Sequence, residues 1–435
     1  MAVTLPVSVT ATGCRHTGRV SNQPQPVDVL VVGAGPGGAA AAAHAVAAGR
    51  EVTLIDGATF PRDKTCGDGL TPRAVAELDA LGLGSLLDGR PRIDGLRLAG
   101  WGATREVPWP SGRFPAYGSA VARTELDEEI RAHAVASGAT MLQGTKAVGA
   151  VMAGDRVESV TLAGPSGTSD VAVRDVIVAD GVRSSLGKTL GRQWHRDTAY
   201  GVAARAYVAS ERADERWMGS HLELRGPDGG LLPGYGWLFP LGSQGNGSGL
   251  LNIGVGALAT AKRPASMQLR PILEHYTEFV RDEWRIGGVP MRVASALLPM
   301  GGAVTGVAGR NWMLIGDAAA CVNPLNGEGI DYAMETGRLA VELLGADDYT
   351  TRWRDVLTDH YGLAFSAARR LAGVLTVPQA VPALGRPGMR SARLMSMVVR
   401  VMGNLITPDD ADLVARAWRT AGRLSSRVDD RPPFR

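Results

Sequence analysis

Lysine is almost missing from this 435-residue chain: of 46 basic residues, only Lys64, Lys146, Lys188 and Lys262 are lysines. Arginine supplies the rest, yet 43 acidic residues hold the net charge to +3. So small an excess gives no electrostatic case for a nucleic-acid partner. With the abundant Ala and Gly, the arginine bias reads as the imprint of a GC-rich genome, not as phosphate recognition. Cysteine is scarce too. Cys14, Cys66 and Cys321 have neither metal-ligand spacing nor the even number of a disulfide framework, which fits a reducing cytoplasm. No run of 18 apolar residues occurs, so no transmembrane helix is expected. Residues 1–26 lack the basic start and long apolar stretch of a secretion signal and read as a disordered tail.

What is present is globular. The chain is 45% hydrophobic and 20% charged, and its length suits two lobes around large cores. The strongest signal lies at Val27–Val32, an apolar run expected to form a buried parallel strand. Gly33-Ala34-Gly35-Pro36-Gly37-Gly38 follows, with Gly33, Gly35 and Gly38 in the three glycine places of G-x-G-x-x-G. The first permits a tight turn, the second lets backbone approach a pyrophosphate, and the third lets helix and strand pack closely. The alanine run to Ala48 then predicts a helix whose N-terminus offers free N–H groups to phosphate. A second strand, Glu51 to Ile55, ends at Asp56, placed to accept hydrogen bonds from an adenosine ribose.

A glycine turn does not separate NAD from FAD. Far down the chain, Trp312 to Ala319 repeats the pattern of an apolar strand ending in Gly316-Asp317 and running into small residues. In flavoproteins of the glutathione-reductase type such an aspartate binds the ribityl or pyrophosphate part of FAD. Between the two, Val176 to Ser184 carries Asp180-Gly181, similar to the Asp-Gly motif of FAD-dependent hydroxylases. Three elements in this order make FAD the expected cofactor. The expected fold is α/β: a glutathione-reductase-type, hydroxylase-like FAD-binding Rossmann domain with an antiparallel β-sheet substrate domain and a helical C-terminal region. The FAD lobe is then discontinuous, 27–190 and 297–345, with the substrate sheet at 191–296. Helices interrupted by Pro378, Pro382 and Pro387 fill 346–435.

At this point the chain resembles the geranylgeranyl reductases. Phe60 to Gly69 matches that family's Cys-Gly loop near the flavin, with Cys66, Gly67, Asp68 and Gly69 as expected FAD contacts. Tyr235-Gly236-Trp237-Leu238-Phe239-Pro240 fits its Tyr-x-Trp-x-Phe-Pro motif on the substrate sheet. Asn323 to Ile330 corresponds to the loop along the isoalloxazine, so Gly329 and Ile330 are expected at the cofactor. Arg123 matches an arginine that reaches FAD, and Ala147 is expected to offer backbone to the adenine. Cys66-Gly-Asp-Gly-Leu-Thr-Pro72 and the stretch from Gly301 to Ile330 resemble the actinobacterial branch that acts on menaquinone. The resemblance implies saturation of one isoprene double bond in that quinone's polyprenyl tail. A related reading within the family is reduction of geranylgeranyl diphosphate or another prenyl lipid. The chain carries no signal that identifies the electron donor.

The chemistry constrains the site independently. An isolated trisubstituted alkene has no carbonyl to polarise it, so hydride addition must be accompanied by protonation at the other carbon. Such a site needs a dry apolar channel and a negative π face for the developing cation. Tyr235, Trp237 and Phe239 alternate on a strand and share one face. They line that channel or pack as ordinary core. Cys66 has two readings as well, a flavin-adjacent group or proton donor, and a small packing residue. Tyr235 and Trp237 are the companion catalytic candidates, and no metal is expected. Cys321 reads as a packed thiol and His195 as a surface or hinge histidine.

Residues 365–427 carry ten Arg against three Asp, and Leu394 to Met402 is strongly apolar. That region docks on an anionic membrane or packs on the body with its arginines in solvent. The first reading places the protein in the cytoplasm, peripheral on the inner face of the cell membrane. Two other function classes share the fold, an FAD-dependent monooxygenase or halogenase and a non-enzymatic prenyl-binding chaperone. The halogenase pattern, however, wants Trp-x-Trp-x-Ile-Pro where Tyr235 and Phe239 stand.

Overall fold

The structure is a computed structural model that describes residues 26–243, 249–265, 268–377 and 379–435. The tail expected at 1–26 lies, apart from Pro26, outside the described residues.

Strand β1 (Val27–Val32) feeds the glycine turn and helix α1 (Pro36–Ala47), then β2 (Val52–Asp56). Pro36 opens α1, where its missing N–H costs nothing and its fixed φ suits the helix. Five consecutive alanines, Ala39 to Ala43, are buried, because only a methyl-sized side chain fits between α1 and its neighbours. Helix α2 (Pro72–Ala80) precedes a hairpin, β3 (Gly95–Gly100) and β4 (Ala103–Pro108). Trp101 and Gly102 both have positive φ, the signature of the tight turn whose twist matches paired strands. Helix α3 (Arg123–Ser137) and β5 (Thr140–Gln143) return to the first sheet. An antiparallel meander follows, β6 (Lys146–Ala153), β7 (Arg156–Gly164) and β8 (Gly167–Val178).

The chain then crosses to a second sheet with β9 (Tyr200–Ser210), β10 (Trp217–His221), β11 (Gly234–Ser243) and β12 (Gly249–Ala259). Helix α4 (Leu269–Phe279) and β13 (Ile286–Leu298) complete that lobe. Strand β14 (Trp312–Leu314) rejoins the first sheet beside β8, and helix α5 (Ile330–Glu342) packs on α1. The remainder is helical: α6 (Leu363–Leu375), α7 (Ala380–Arg390), α8 (Ala392–Met402) and α9 (Leu413–Arg427) are its longer elements.

In the first sheet β14, β8, β1, β2 and β5 run parallel in that order. The second has the order β13-β9-β12-β11-β10-β3-β4, antiparallel except between β10 and β3. The sheet thus takes in residues 95–108, which the sequence reading had counted with 27–190, and keeps Leu297 and Leu298 in β13. Nothing local in a short hairpin says which sheet it joins, because that pairing is tertiary. A second difference concerns the prolines. Pro382 falls in the first turn of α7, where amide hydrogens are unpaired, and Pro387 sits inside the helix, so neither interrupts it.

Three backbone contacts lock the glycine turn. A Cβ on Gly33, whose φ is +102°, would lie 2.4 Å from the Ala179 carbonyl oxygen at the end of β8. One on Gly38 would lie 1.8 Å from the Gly33 oxygen, and one on Gly37 would lie 2.8 Å from the Ala333 oxygen of α5. Gly38→Ala should therefore destabilise the protein by more than about 3 kcal/mol, beyond ordinary overpacking, since backbone cannot yield as a side chain can. Gly49→Ala is the control: φ is +80° but no atom lies within 4 Å, so only about 1–2 kcal/mol of left-handed strain applies. Urea unfolding of both variants checks the ranking, and equal losses would show that the close contact at Gly38 is unimportant.

Candidate active site

The middle glycine behaves differently from its neighbours. A Cβ on Gly35 would touch no backbone, only Arg62 Nη2 at 3.4 Å and Arg123 Nη2 at 4.0 Å. Gly35 caps α1 without a side-chain bond to the helix N–H groups, so those donors and two guanidiniums face one open cradle. That arrangement suits a pyrophosphate. Asp56 at the end of β2 accepts from the Ala34 N–H (2.8 Å) and the Ala58 N–H (2.8 Å), which fixes its carboxylate beside the loop. Ala147 lies in β6 two residues past Thr145, whose N–H bonds the Asp56 carbonyl at 2.8 Å. Across the cradle, Asp317 pairs with Lys64 at 3.2 Å, and a Cβ on Gly329 would come within 3.6 Å of its carboxylate. Gly329 caps α5 and Ile330 begins it, so a second helix N-terminus opens here. The residues present fit FAD.

Arg123 is buried, not a surface residue of α3. It holds Asp127 by two bonds (2.5 and 2.7 Å), and Arg62 adds a third contact to the same carboxylate at 2.8 Å. Cys66 lies against Arg123, yet burial pushes its thiol up, so it stays protonated and is no thiolate nucleophile. Asp68 is fully buried in a left-handed conformation (φ 63°) and accepts from Tyr207 (2.7 Å) and Asn252 (2.8 Å). Burial pushes its carboxyl up to about 6. Asp180 accepts from the Leu186 N–H at 2.9 Å, capping the short helix Ser185–Thr189. Cys321 is a buried thiol in the core, and His195 sits near the crossing between the lobes, 3.2 Å from Thr305.

Strand β11 joins these loops. Tyr235, Trp237 and Phe239 do share a face, with ring centroids 6.0 and 6.2 Å apart along the row. The opposite face belongs to the core, where Tyr276 of α4 would meet a Cβ on Gly236 at 2.3 Å. Tyr235 donates its phenol proton to the Asn326 carbonyl at 2.5 Å, touching the 323–329 loop. Phe239 and Trp237 press on Gly67, and Phe239 on Gly69, touching the Cys-Gly loop. Both loops expected to flank the flavin thus converge on one aromatic row.

Several working residues escaped the sequence reading. Asn252 is completely buried and accepts from Trp237 Nε1 (2.9 Å) while donating to the Cys66 carbonyl and Asp68 (2.8 Å each). Its signal was a lone amide in an apolar strand, which must find partners. Arg205, 1% exposed, binds Asp63 (2.5 Å) and the Arg292 carbonyl (2.6 Å), tying the Cys-Gly loop to β9 and β13. Arg62 and Lys64 were unmarked because a basic residue in a loop is ordinarily solvated.

The fold and cradle define an FAD-dependent oxidoreductase with a substrate sheet closing over its flavin loops. An FAD-binding-domain family model matches residues 26–347. The chain is 59% identical to the menaquinone reductase of Mycolicibacterium smegmatis, covering 94% of this chain and 98% of that one. It is 30% identical to a digeranylgeranylglycerophospholipid reductase of Methanopyrus kandleri, over 80% and 90% of the two chains. Among solved structures, a geranylgeranyl bacteriochlorophyll reductase-like protein of Thermoplasma acidophilum superposes with a TM-score of 0.73. That match has 19% identity and covers 91% and 98% of the chains. A flavin-dependent brominase shares the fold at a TM-score of 0.66 and 17% identity, over 92% and 99%. The chain belongs to this FAD-binding family and, within it, to the menaquinone reductases.

Removing Asn252 tests how the loop and the row are coupled. Asn252→Ala leaves an indole N–H and a carbonyl without partners and takes from the Asp68 carboxylate one of its two donors, at a cost of about 2–4 kcal/mol. The loss should show in denaturant unfolding together with altered Trp237 fluorescence. An unchanged unfolding midpoint would mean that water replaces the amide without penalty.

Proposed function

We propose that this chain saturates one isoprene double bond in the polyprenyl side chain of menaquinone. The observation that carries the reading is the convergence of two flavin loops on the row Tyr235, Trp237 and Phe239. The relatives are named as reductases of menaquinone and of a digeranylgeranylglycerophospholipid, both molecules with isoprenoid chains, which supports the same chemistry. When bound, reduced FAD supplies a hydride. The glycine turn, Asp56, Arg62, Arg123 and Asp317 hold the cofactor. The aromatic row lies against the tail, excludes water and offers π electrons to the carbon that becomes positive. A halogenase reading has no specific support in the row, where Tyr235 and Phe239 replace the residues that chemistry wants.

Turnover separates site from core. Trp237→Ala should keep FAD yet lose most saturation of the quinone tail. Trp237→Phe, which retains a π face, should keep more, the difference reflecting roughly 0.5–2 kcal/mol. Mass spectrometry of quinones from cells expressing each variant at equal level gives the ratio. Full activity in a folded, yellow Ala variant would remove Trp237 from the site, and joint loss of flavin and fold would make it core.

The substrate lives in a bilayer, and no described helix is long and apolar enough to cross one. We place the membrane contact on the outer face of α7 and α8. Their inner residues Met389, Met395 and Val399 are buried against the body, whereas Leu384 and Leu394 are exposed. Arg386, Arg390 and Arg393 are exposed beside them and make no ion pair among the described residues. Of the other arginines in this region, Arg400 pairs with Asp410 and Asp412 and Arg369 with Asp429, whereas Arg370, Arg416, Arg423 and Arg427 are exposed elsewhere. Binding to anionic vesicles should weaken as salt rises and fall by about 1 kcal/mol per arginine replaced by Ser. Equal binding to neutral and anionic vesicles would leave only the two leucines as the anchor.

A further inference from the structure

The reaction proposed above needs a proton as well as a hydride, and three groups near the cradle carry one. Cys66 keeps its proton too firmly. Asp68 is sealed beneath the Cys-Gly loop with one oxygen already taken by Tyr207 and Asn252. The third is Glu328, in the 323–329 loop. Its carboxyl accepts from the Thr71 hydroxyl and from the Asn326 amide at 3.3 Å, while its own N–H bonds Asn326 Oδ1 at 2.9 Å. Asn326 also receives the Tyr235 phenol, so the Glu328 carboxyl stands one residue from the end of the aromatic row. Unlike Asp331 behind it, Glu328 is only partly enclosed.

The charges around it do not balance. Asp331 and Glu335 of α5 share with Glu328 a single guanidinium, that of Arg73 on α2. Tyr332 and Tyr361 close the cluster, Tyr361 donating to Glu335 at 2.8 Å, and Tyr235 faces it from β11. Arg338 is occupied farther out by Glu77 at 3.1 Å. Asp331 is buried and Glu328 partly enclosed, and with one cation between them the pair retains a proton. Asp331 is fully buried, and its Oδ1 has no hydrogen-bond partner, so ionisation there would leave charge on an uncompensated oxygen.

We propose that Glu328 delivers the proton to the substrate alkene, from a carboxyl cluster that it shares with Asp331 behind it. The step breaks one C=C π bond and forms two C–H bonds. The alkene gains a hydride from the reduced cofactor, which is oxidised by two electrons, and a proton from Glu328. The Glu328 carboxylate left behind is reprotonated from solvent. Burial pushes the Glu328 carboxyl up to about 7, so a large protonated fraction persists near neutrality. This assignment rests on the alkene-reduction reading.

The test uses FAD-loaded full-length protein, reduced chemically, mixed with menaquinone in detergent, with saturated quinone measured by mass spectrometry in a single turnover. Wild type that forms no saturated product refutes the substrate reading itself, whatever Glu328 does. If wild type is active, Glu328→Gln should bind FAD normally, accept electrons normally and saturate the alkene at least about a hundredfold more slowly. It should also lose the fall in rate that wild type shows above about pH 7. Glu328→Asp should restore part of the rate. An E328Q enzyme with wild-type rate and pH profile overturns the proposal.

A second readout needs no turnover. A carboxyl raised from 4.5 to about 7 on folding binds more protons in the native state, so its stabilising contribution fades as pH rises between those values. The unfolding midpoint of wild type should therefore fall relative to E328Q across that window, and parallel curves count against the proposal. Should Gln at 328 empty the flavin site, Thr71→Val decides. It leaves Glu328 in place but removes the hydroxyl that donates to its carboxylate, so the alkaline limb must move to higher pH. An unmoved limb overturns the proposal.

Discussion

Backbone touching backbone at the glycine turn is the constraint on which the rest of the structure depends. The Ala179 carbonyl occupies the space a Gly33 side chain would need, and the Gly33 carbonyl occupies that of Gly38. Helix α5 repeats the device from the other side, since a Cβ on Gly337 would fall 2.6 Å from the Gly37 oxygen. These contacts bring β1, β8, α1 and α5 to one point, although α5 lies some three hundred residues further along the chain. The consequence is geometric. Once α5 is pressed on α1, Gly329 and Asp317 stand opposite the open face of Gly35, and two helix N-termini address the same space. Helix dipoles and free N–H groups then favour an anionic cofactor there before any side chain is counted.

Buried polar groups help to attach the second lobe to this cradle. Asn252, Arg205 and Tyr207 rise from the sheet into the loop that carries Asp63, Lys64, Cys66 and Asp68. Each is desolvated, so losing one partner leaves another unsatisfied at a cost of about 1–3 kcal/mol. Such contacts specify one docking geometry where an apolar patch would tolerate sliding. The aromatic row is registered by the same network, because Trp237 is held through Asn252 and Tyr235 through Asn326. A row meant to stabilise transient positive charge must not reorient when that charge appears, and these bonds supply the rigidity.

What the sequence disclosed follows from the range of the interactions involved. The strand–turn–helix–strand run from Val27 to Asp56 is local, and its glycines and alanines report contacts made within a few residues. The shared face of Tyr235, Trp237 and Phe239 follows from strand periodicity alone. The placement of β3 and β4 in the second sheet does not, because Trp101 and Gly102 encode a turn and say nothing about the partner strand. Arg400 and Arg369 read as free surface charge until Asp410, Asp412 and Asp429 were brought to them by the packing of α6, α8 and the C-terminal segment. Glu328 was visible within its loop but carried no signal. Its character comes from Arg73 and Asp331, which local pattern does not associate with it.

The division of labour between the lobes also explains why this architecture suits an unactivated alkene. Fixed charge is concentrated on the cofactor side, in Arg62, Arg123, Lys64 and Asp317, and there it is paired with opposite charge. The substrate side presents rings together with Leu298 and Met300, which lie 3.3 and 3.8 Å from a Cβ built on Gly327. An isoprenoid tail pays little desolvation to enter such a space, whereas water would leave its hydrogen bonds unmade. Lining the whole wall with ionisable groups would forfeit that advantage. Seating Glu328 in the loop at the edge of the row, with Asp331 behind it at the start of α5, keeps a proton at hand while the strand's face stays apolar. A carboxyl neutral at rest is compatible with such a wall, and becomes charged only in the step that consumes its proton.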